Sequence, residues 1–222
     1  MSEPDRQVLE KLLPGVTTSA IHDVLTKRHA HPCTIIDLIT PTPDRVLFGP
    51  AATIHFLPYR HDLGQKDFAR AYYRAVGDSA AGKVLVMSCG GYPDGALAGG
   101  KKMTRAAFQG AAGVLTDGRL RDLDDLARAG LVIHCNGEAV VPANTLLTPE
   151  ASNIPIQVRG VTVIPGDWVY ADGSGAVIIP AAEIDEILLG AIAVKQEDAH
   201  FREQIAQERA SAGESARGER ER

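Results

Sequence analysis

The sequence predicts a mixed α/β domain, and two observations lead to this prediction. Apolar runs of strand length are separated by turns rich in glycine and proline, and they alternate only in part with segments of helical spacing. A late series of strands, at residues 161–164, 168–170 and 176–179, is followed by a helical pattern that opens at Pro180. Because strand patterns outnumber long helical ones, we expect a mixed α/β fold that ends in a long helix.

The individual elements follow from the spacing of apolar residues and from the glycine and proline residues between them. The expected helices cover residues 3–13, 19–28, 65–76, 123–129 and 180–208. The expected strands before the late series cover residues 34–36, 51–56, 84–88, 113–116 and 131–134. Leu97 and Ala98 are expected to begin a helix, and residues 136–157 are expected to form a long connection with short strands.

Length and composition indicate a single domain in residues 1–208. With 222 residues, of which 45% are hydrophobic and 23% are charged, the chain has a globular composition and can bury a substantial core. Residues 209–222 have almost no apolar content, so we expect a disordered charged tail there.

Charge, hydropathy and cysteine usage argue against several classes of partner. The net charge of −5 argues against a nucleic-acid surface, which needs clustered excess Lys and Arg. No apolar run approaches the roughly 18 residues that span a bilayer, and the polar N-terminus does not resemble a secretory signal. The three cysteines form no CxxC pair, which fits a reduced protein. We therefore expect a cytoplasmic protein that binds neither nucleic acid nor membranes.

The functional interpretation centres on residues 90–122. A glycine-rich turn follows an apolar strand, and Gly99 and Gly100 are placed to begin a helix. The first amides of a helix lack partners and carry partial positive charge, so they attract an anion, either a carboxylate or a phosphate. Lys101 and Lys102 add to this positive field. The alternative interpretation, a turn chosen for tight packing beside solvated lysines, stays open at this point.

Residues 95–101 also match the spacing of a phosphate-binding P-loop, G-x-x-x-x-G-K, after a strand. The next residue is Lys102, where the motif requires the Ser or Thr that binds magnesium. The sequence therefore argues against nucleotide hydrolysis.

An Arg-Asp pair follows the next strand. Asp117 and Gly118 form a turn, and Arg121 and Asp122 come directly after it, at the strand end where α/β folds keep their ligands. An arginine fork can hold a carboxylate or ketone oxygen. The adjacent carboxylate can take a hard divalent ion that keeps most of its ligands as water. The pair therefore indicates a metal-assisted site for a small anion.

Two other reactive side chains are interpreted as structural. No HxxEH or paired-His pattern is present, so zinc is not expected, and His134 at the end of an apolar strand is interpreted as a core or rim histidine. Cys89 has no evident base beside it in the sequence and is interpreted as inert.

Three segments together carry a resemblance to a known family. GGKKMTRAA, GAAGVLTDGRLRDLDDL and VIPGDWVYADGSGAVIIP resemble the ribonuclease E activity regulator-like family, which includes the 4-hydroxy-4-methyl-2-oxoglutarate aldolases. The similarity runs from about residue 13 to about residue 205, nearly the whole chain. It implies a swivelling β/β/α fold, assembled as homotrimers or homohexamers with sites between subunits. It also implies divalent-metal-dependent, class II retro-aldol cleavage of a 4-hydroxy-2-oxo acid that releases pyruvate, often with oxaloacetate decarboxylation.

The resemblance also implies roles for individual residues. Arg121 would bind the pyruvyl moiety, and Asp122 would hold Mg²⁺ or Mn²⁺. A neighbouring subunit would bring Glu197 or Asp198 towards the metal. The substrate carboxylate would be received by the backbone amides of Gly99, Gly100, Lys101 and Lys102.

Three alternatives remain beside this hypothesis. Lys101 or Lys102 could form a Schiff base with a 2-oxo acid, since a lysine crowded by cations has a lowered pKa. The chain could instead be a protein-binding regulator of a ribonuclease without enzymatic activity, or an aldolase-like enzyme for a different anionic substrate.

Overall fold

The computed structural model describes residues 6–92 and 94–220 of the chain. Its helices are α1 (Arg6–Glu10), α2 (Thr18–Leu25), α3 (Phe68–Val76), α4 (Gly100–Phe108), α5 (Leu123–Arg128) and α6 (Ile184–Arg220). The strands of its first half are β1 (Thr34–Ile35), β2 (Leu47–Pro58), β3 (Val84–Ser88), β4 (Ala96–Ala98), β5 (Gly113–Thr116) and β6 (Arg119–Leu120). The later strands are β7 (Val132–His134), β8 (Leu147–Ser152), β9 (Ile156–Val158), β10 (Val161–Val163), β11 (Trp168–Asp172) and β12 (Gly175–Ile179).

The main sheet has eight strands in the order β1-β12-β11-β2-β3-β5-β7, with β8 also paired to β2. The long strand β2 joins two kinds of pairing: its first residues pair antiparallel with β11, and its later residues pair parallel with β3 and antiparallel with β8. Strands β3, β5 and β7 continue in parallel. Parallel neighbours require crossover connections, and the segments that carry α3, α4 and α5 supply them.

The two faces of the sheet are covered differently. One face packs against α3, α4 and α5 through a core that includes Phe56, Tyr72, Met103 and Leu126. The antiparallel ribbon of β9 and β10 contributes alternating apolar residues to a core on the other face. A third core joins α1, α2 and the first turns of α6 to β11 and β12. The result is a layered β/β/α arrangement with a long C-terminal helix, which confirms the predicted fold class.

Most predicted elements are present with shifted bounds, and three predictions need correction. Leu97 and Ala98 do not begin a helix, because they form strand β4, which pairs with β6. The connection at residues 136–157 contains β8, six residues long, as a full member of the main sheet. The last helix begins at Ile184, after a 3₁₀ turn at Ala181–Glu183.

The end of α6 also differs from the prediction. It runs to Arg220, beyond the helix end near residue 208 that the sequence predicts. The disorder expected for residues 209–222 stays a prediction. The division into a domain of residues 1–208 and a separate tail stays a prediction. Among the described residues, no helix combines the length and apolar character needed to cross a membrane.

Candidate active site

The candidate site is built on the small parallel sheet of β4 and β6. Ala96 is in register with Arg119, and Ala98 is in register with Leu120. The amide of Arg121 donates a hydrogen bond of 3.1 Å to the carbonyl oxygen of Ala98, just past the last pair. The two strands therefore end together, and the residues after them start α4 and α5 side by side.

Asp122 occupies the position before α5 in a left-handed backbone conformation, with φ 61° and ψ 40°. Asp adopts this conformation more readily than most residues with a side chain. Its carbonyl oxygen accepts the hydrogen bond of Leu126, which starts the helix. The unusual backbone directs the carboxylate towards α4, where Oδ2 accepts a hydrogen bond of 2.9 Å from the amide of Gly100.

Gly99 has an extended backbone, with φ −163°, so any residue could adopt its conformation. A side chain is excluded here because there is no room for one. A Cβ at this position would lie 2.4 Å from Cγ and 2.8 Å from Nε of Arg121, and 3.0 Å from Oδ2 of Asp122. The Arg121 side chain thus lies directly against the Gly99 backbone.

Arg121 and Asp122 also interact with each other. Nε of Arg121 lies 3.6 Å from Oδ2 of Asp122, and the two side chains are 42% and 43% exposed. The guanidinium and the carboxylate therefore remain accessible to a ligand. The structure brings together Gly99, Gly100, Arg121 and Asp122, all of which the sequence nominates.

The first amides of α4 are not equally available for the substrate carboxylate. The amide of Gly100 is occupied by Asp122, and the amide of Lys102 donates to the carbonyl oxygen of Gly99 at 3.0 Å. Among the described residues, the amide of Lys101 has no acceptor. Of these three amides, that of Lys101 is therefore the one left for an anion at this helix N-terminus.

Lys102 contributes its charge as well as its backbone. Its Nζ donates to the carbonyl oxygen of Leu97 at 3.2 Å and lies 4.4 Å from the ring centre of Phe68. Although the residue as a whole is exposed, burial of the ammonium group lowers its pKa, and the positive charge of Arg121 lowers it further. The ammonium group is thus held at a fixed place near the guanidinium.

These groups line one cavity of about 390 Å³, bounded by Gly99, Lys101, Lys102 and Arg121 on one side and by Pro142 and Asn144 on the other. This volume is in the range of small-molecule sites. A separate cavity of about 520 Å³ between α3 and β8, lined by Arg70 and Arg74, contains none of these glycines or Arg121. The convergence of amides and cations therefore identifies the first cavity as the candidate active site.

Within the described part of one chain, the candidate active site offers a divalent metal a single carboxylate ligand, Asp122. Among the described residues, no group of three or more His, Cys, Asp or Glu side chains is placed to hold a metal ion. Mg²⁺ commonly binds through one or two carboxylates, with water and substrate as its other ligands, so Asp122 alone suffices as the protein ligand on this side. Glu197 is exposed on α6 and makes no hydrogen bond or ion pair with Asp122 in the part of the chain that is described. Its role from a neighbouring subunit stays a prediction.

The interpretations of His134 and Cys89 agree with the structure. His134 is 1% exposed, and its Nε2 has no hydrogen-bond partner among the described residues. Burial lowers its pKa to about 4, so it is neutral in the folded protein. Cys89 is 3% exposed, and burial together with the charge of Asp117 raises its pKa to about 11. Neither residue lines the candidate active site.

Sequence reasoning missed Pro142, Asn144 and Glu138. Pro142 and Asn144 belong to a segment interpreted as a connection, and no local pattern marks them as cavity residues. The carboxylate of Glu138 accepts a hydrogen bond of 3.2 Å from the amide of Leu123, in the first turn of α5. The bridge between Leu120 and Glu138 explains this contact, and its long-range pairing is not visible in the sequence.

The chain is thus a layered β/β/α domain that carries an Arg-Asp pair beside a helix N-terminus. The chain belongs to the RraA-like family, described as Aldolase/RraA, whose model matches residues 18–178. This confirms the family resemblance drawn from the sequence.

Relatives in this family carry two kinds of name. A protein from Albidiferax ferrireducens, provisionally named a 4-hydroxy-4-methyl-2-oxoglutarate aldolase, is 40% identical over 106 residues, which cover 48% of this chain and 61% of that protein. A Burkholderia mallei protein with the same provisional name is 34% identical over 134 residues, or 59% of this chain and 73% of that protein. The crystal structure of Streptomyces coelicolor RraAS2, an unusual member of the RNase ES inhibitor RraA family, is similar with a TM-score of 0.78 and 27% identity, covering 91% of this chain and 98% of that one.

Proposed function

We propose that this protein is a divalent-metal-dependent lyase that cleaves a C–C bond of a 4-hydroxy-2-oxo acid and releases pyruvate, with oxaloacetate decarboxylation as a second activity. The observation that supports it most is that Arg121 lines the cavity beside Lys101 and Lys102 and also contacts Asp122, whose carboxylate is held by the Gly100 amide. The names of the aldolase relatives point to the same chemistry.

The residues of the site have separate tasks in this reaction. Arg121 donates charge-assisted hydrogen bonds to the carboxylate and keto oxygens, and its charge stabilises the negative charge that develops as the bond breaks. The free amide of Lys101 and the positive N-terminus of α4 hold the substrate carboxylate. Asp122 would hold Mg²⁺ or Mn²⁺, which acts as a Lewis acid on the 2-oxo acid when bound. Water takes the proton from the hydroxyl group at C4, and the C3–C4 bond breaks to give a carbonyl product and the enolate of pyruvate. Water then returns a proton to C3, which gives pyruvate.

The proposal includes an assembly. We infer a homotrimer or homohexamer, in which a neighbouring subunit places Glu197 or Asp198 near Asp122. The exposed position of both residues on α6 is compatible with such a contact. Sedimentation of the purified protein tests the assembly separately from the chemistry.

A coupled assay for pyruvate tests the reaction. Oxaloacetate and a panel of 4-hydroxy-2-oxo acids are supplied with Mg²⁺ or with a chelator. We expect pyruvate release that requires the metal and is abolished in Asp122→Ala. The matched control is Asp124→Ala, an exposed carboxylate in the first turn of α5, which should keep its turnover. Unchanged turnover in Asp122→Ala would remove the metal role.

Lys102 supports one alternative chemistry. Its lowered pKa and its place on the cavity wall are the features that a Schiff-base lysine needs. Borohydride trapping with a 2-oxo acid, followed by mass spectrometry, distinguishes the Schiff-base mechanism from the metal-dependent mechanism. A covalent adduct together with full activity in chelator would replace the metal mechanism.

The structural likeness to RraAS2 supports a second candidate function, regulation of a ribonuclease by direct binding. This function needs no turnover. A screen that finds no metal-dependent activity on any 2-oxo acid, together with co-purification of a large nuclease, would favour it.

A further inference from the structure

A second cavity adjoins the candidate active site. Its volume is about 330 Å³, and it lies between the start of α3, strand β4 and the segment that leads into β8. It shares Lys102 and Asn144 with the candidate active site, so these two residues mark the junction between the two spaces. We call it the distal cavity.

The inner wall of the distal cavity is apolar. Phe56, Phe68, Leu97, Leu147 and Pro149 line it. The rings of Phe56 and Phe68 are 6.4 Å apart, within the range of contacting aromatic pairs. Such a wall favours an apolar or aromatic group over a hydrated one.

The charges around the distal cavity do not suit a second carboxylate. Lys66 is already paired with Glu150, with 2.5 Å between Nζ and Oε1. The other cation, Lys102, lies at the junction and donates to the Leu97 carbonyl. The carboxylate of Asp67 lines the same cavity. An anionic distal group would therefore meet a like charge, and among the described residues that line the distal cavity no uncommitted cation lies beyond the junction. Arg70 and Arg74 line the cavity between α3 and β8 rather than the distal cavity.

We propose that the distal cavity binds the distal group of the substrate and selects an apolar or aromatic group there. This inference rests on the proposed function for the position of the 2-oxo acid, whose carboxylate end stays near Arg121 and the start of α4. Among 4-hydroxy-2-oxo acids, the preferred substrate then has one carboxylate and a bulky apolar end.

Direct binding tests this preference without turnover. The probes are 2-oxobutanoate, 2-oxo-4-phenylbutanoate and 2-oxoglutarate, which share their 2-oxo acid end and differ in the distal group. Titration calorimetry in the presence of Mg²⁺ should show 2-oxo-4-phenylbutanoate binding at least about tenfold more tightly than 2-oxobutanoate, because the ring leaves water. Tighter binding of 2-oxoglutarate than of the phenyl compound would overturn the inference.

A variant that narrows the distal cavity provides the structural test. Gln65 is exposed and lines this cavity but not the candidate active site, so Gln65→Trp should fill space without disturbing Arg121 or Asp122. We expect it to remove most of the phenyl preference and to leave 2-oxobutanoate binding unchanged. The matched control is Gln157→Trp, at an exposed position of β9 that lines none of these cavities. Equal weakening of both ligands by Gln65→Trp would contradict the proposal.

The outcomes separate this inference from the proposed function. Suppose that Gln65→Trp removes a phenyl preference but the protein releases no pyruvate from any substrate. The proposed role of the distal cavity would then stand, and the proposed lyase activity would be rejected. If pyruvate is released but all three probes bind equally, the proposed lyase activity would stand and the proposed selectivity of the distal cavity would be rejected. No binding of any probe would reject both.

Discussion

The amide of Gly100 donates a hydrogen bond of 2.9 Å to the carboxylate of Asp122, 22 residues further along the chain. This contact joins the beginning of α4 to the beginning of α5. It fixes one carboxylate oxygen against a helix N-terminus, where its negative charge is stabilised. The geometry of the candidate active site depends on it.

Gly99→Ala tests how closely Arg121 must approach the backbone. The added Cβ would meet Cγ of Arg121 at 2.4 Å, so the guanidinium has to move. Since a displacement of about 1 Å in a site can lower the rate about 100-fold, we expect a loss of that order in kcat/KM. The matched control is Gly173→Ala, whose Cβ would meet only the Pro43 carbonyl oxygen, at 3.7 Å. Full activity in Gly99→Ala would show that the position of Arg121 is not critical.

Arg121→Lys tests the planar fork of the guanidinium. A lysine keeps the positive charge but cannot donate two parallel hydrogen bonds to a carboxylate. We expect kcat/KM for a 2-oxo acid to fall by about 10- to 100-fold, while the midpoint of thermal unfolding stays nearly constant because the side chain is half-exposed. Arg128→Lys, in an exposed pair with Asp125, is the control and should have wild-type kinetics. Equal kinetics in the two variants would exclude a bidentate role for Arg121.

His134 predicts a specific pH dependence of stability. Its pKa falls from 6.5 to about 4 on folding, so between these values the unfolded chain binds a proton that the folded protein does not. The contribution of His134 is therefore fully present above pH 6.5, declines as the pH falls towards 4 and is constant below that. The shift corresponds to at most about 3 kcal/mol.

Urea unfolding at several pH values measures this effect. The difference in unfolding free energy between wild type and His134→Leu should decrease as the pH falls from about 7 to about 4. A constant difference between wild type and His134→Leu would mean that His134 does not titrate in this way.

Because its cysteines are buried, we expect the native protein to resist thiol reagents. Cys33, Cys89 and Cys135 are all buried, and the pKa of Cys89 is raised to about 11. At pH 8 the native protein should therefore react very slowly with an aromatic disulfide reagent, whereas all three thiols should react in guanidinium chloride. Rapid modification of one thiol in the native state, with loss of activity, would overturn the inert interpretation of Cys89.

The sequence was sufficient for the polar part of the candidate active site. Glycines before a helix and an Arg-Asp pair after a strand are local patterns, and the structure places Gly100 and Asp122 in contact. Their roles in binding metal and substrate stay predictions. The strand β4 was missed because Leu97 and Ala98 have high helix propensity, and the pairing with β6 overrides it.

The walls of the two cavities could not be predicted in the same way. Asn144 reaches the cavity from a segment more than 40 residues after Gly99, through the bridge between Ala96 and Pro142. Phe68, which lines the distal cavity, precedes Gly99 in the sequence and lies at the start of α3. Such juxtapositions depend on tertiary pairing, which a single sequence does not display.

The parallel pair of β4 and β6 has an evolutionary consequence. It places the polar anchor, which consists of Gly99, Gly100, Lys101, Lys102, Arg121 and Asp122, on one continuous segment, residues 96–126. Most of the distal cavity comes from other parts of the chain. Mutations in those other parts can accumulate without disturbing the anchor. Under the proposed function, proteins built on this scaffold could therefore change the group bound in the distal cavity while keeping Arg121 and Asp122.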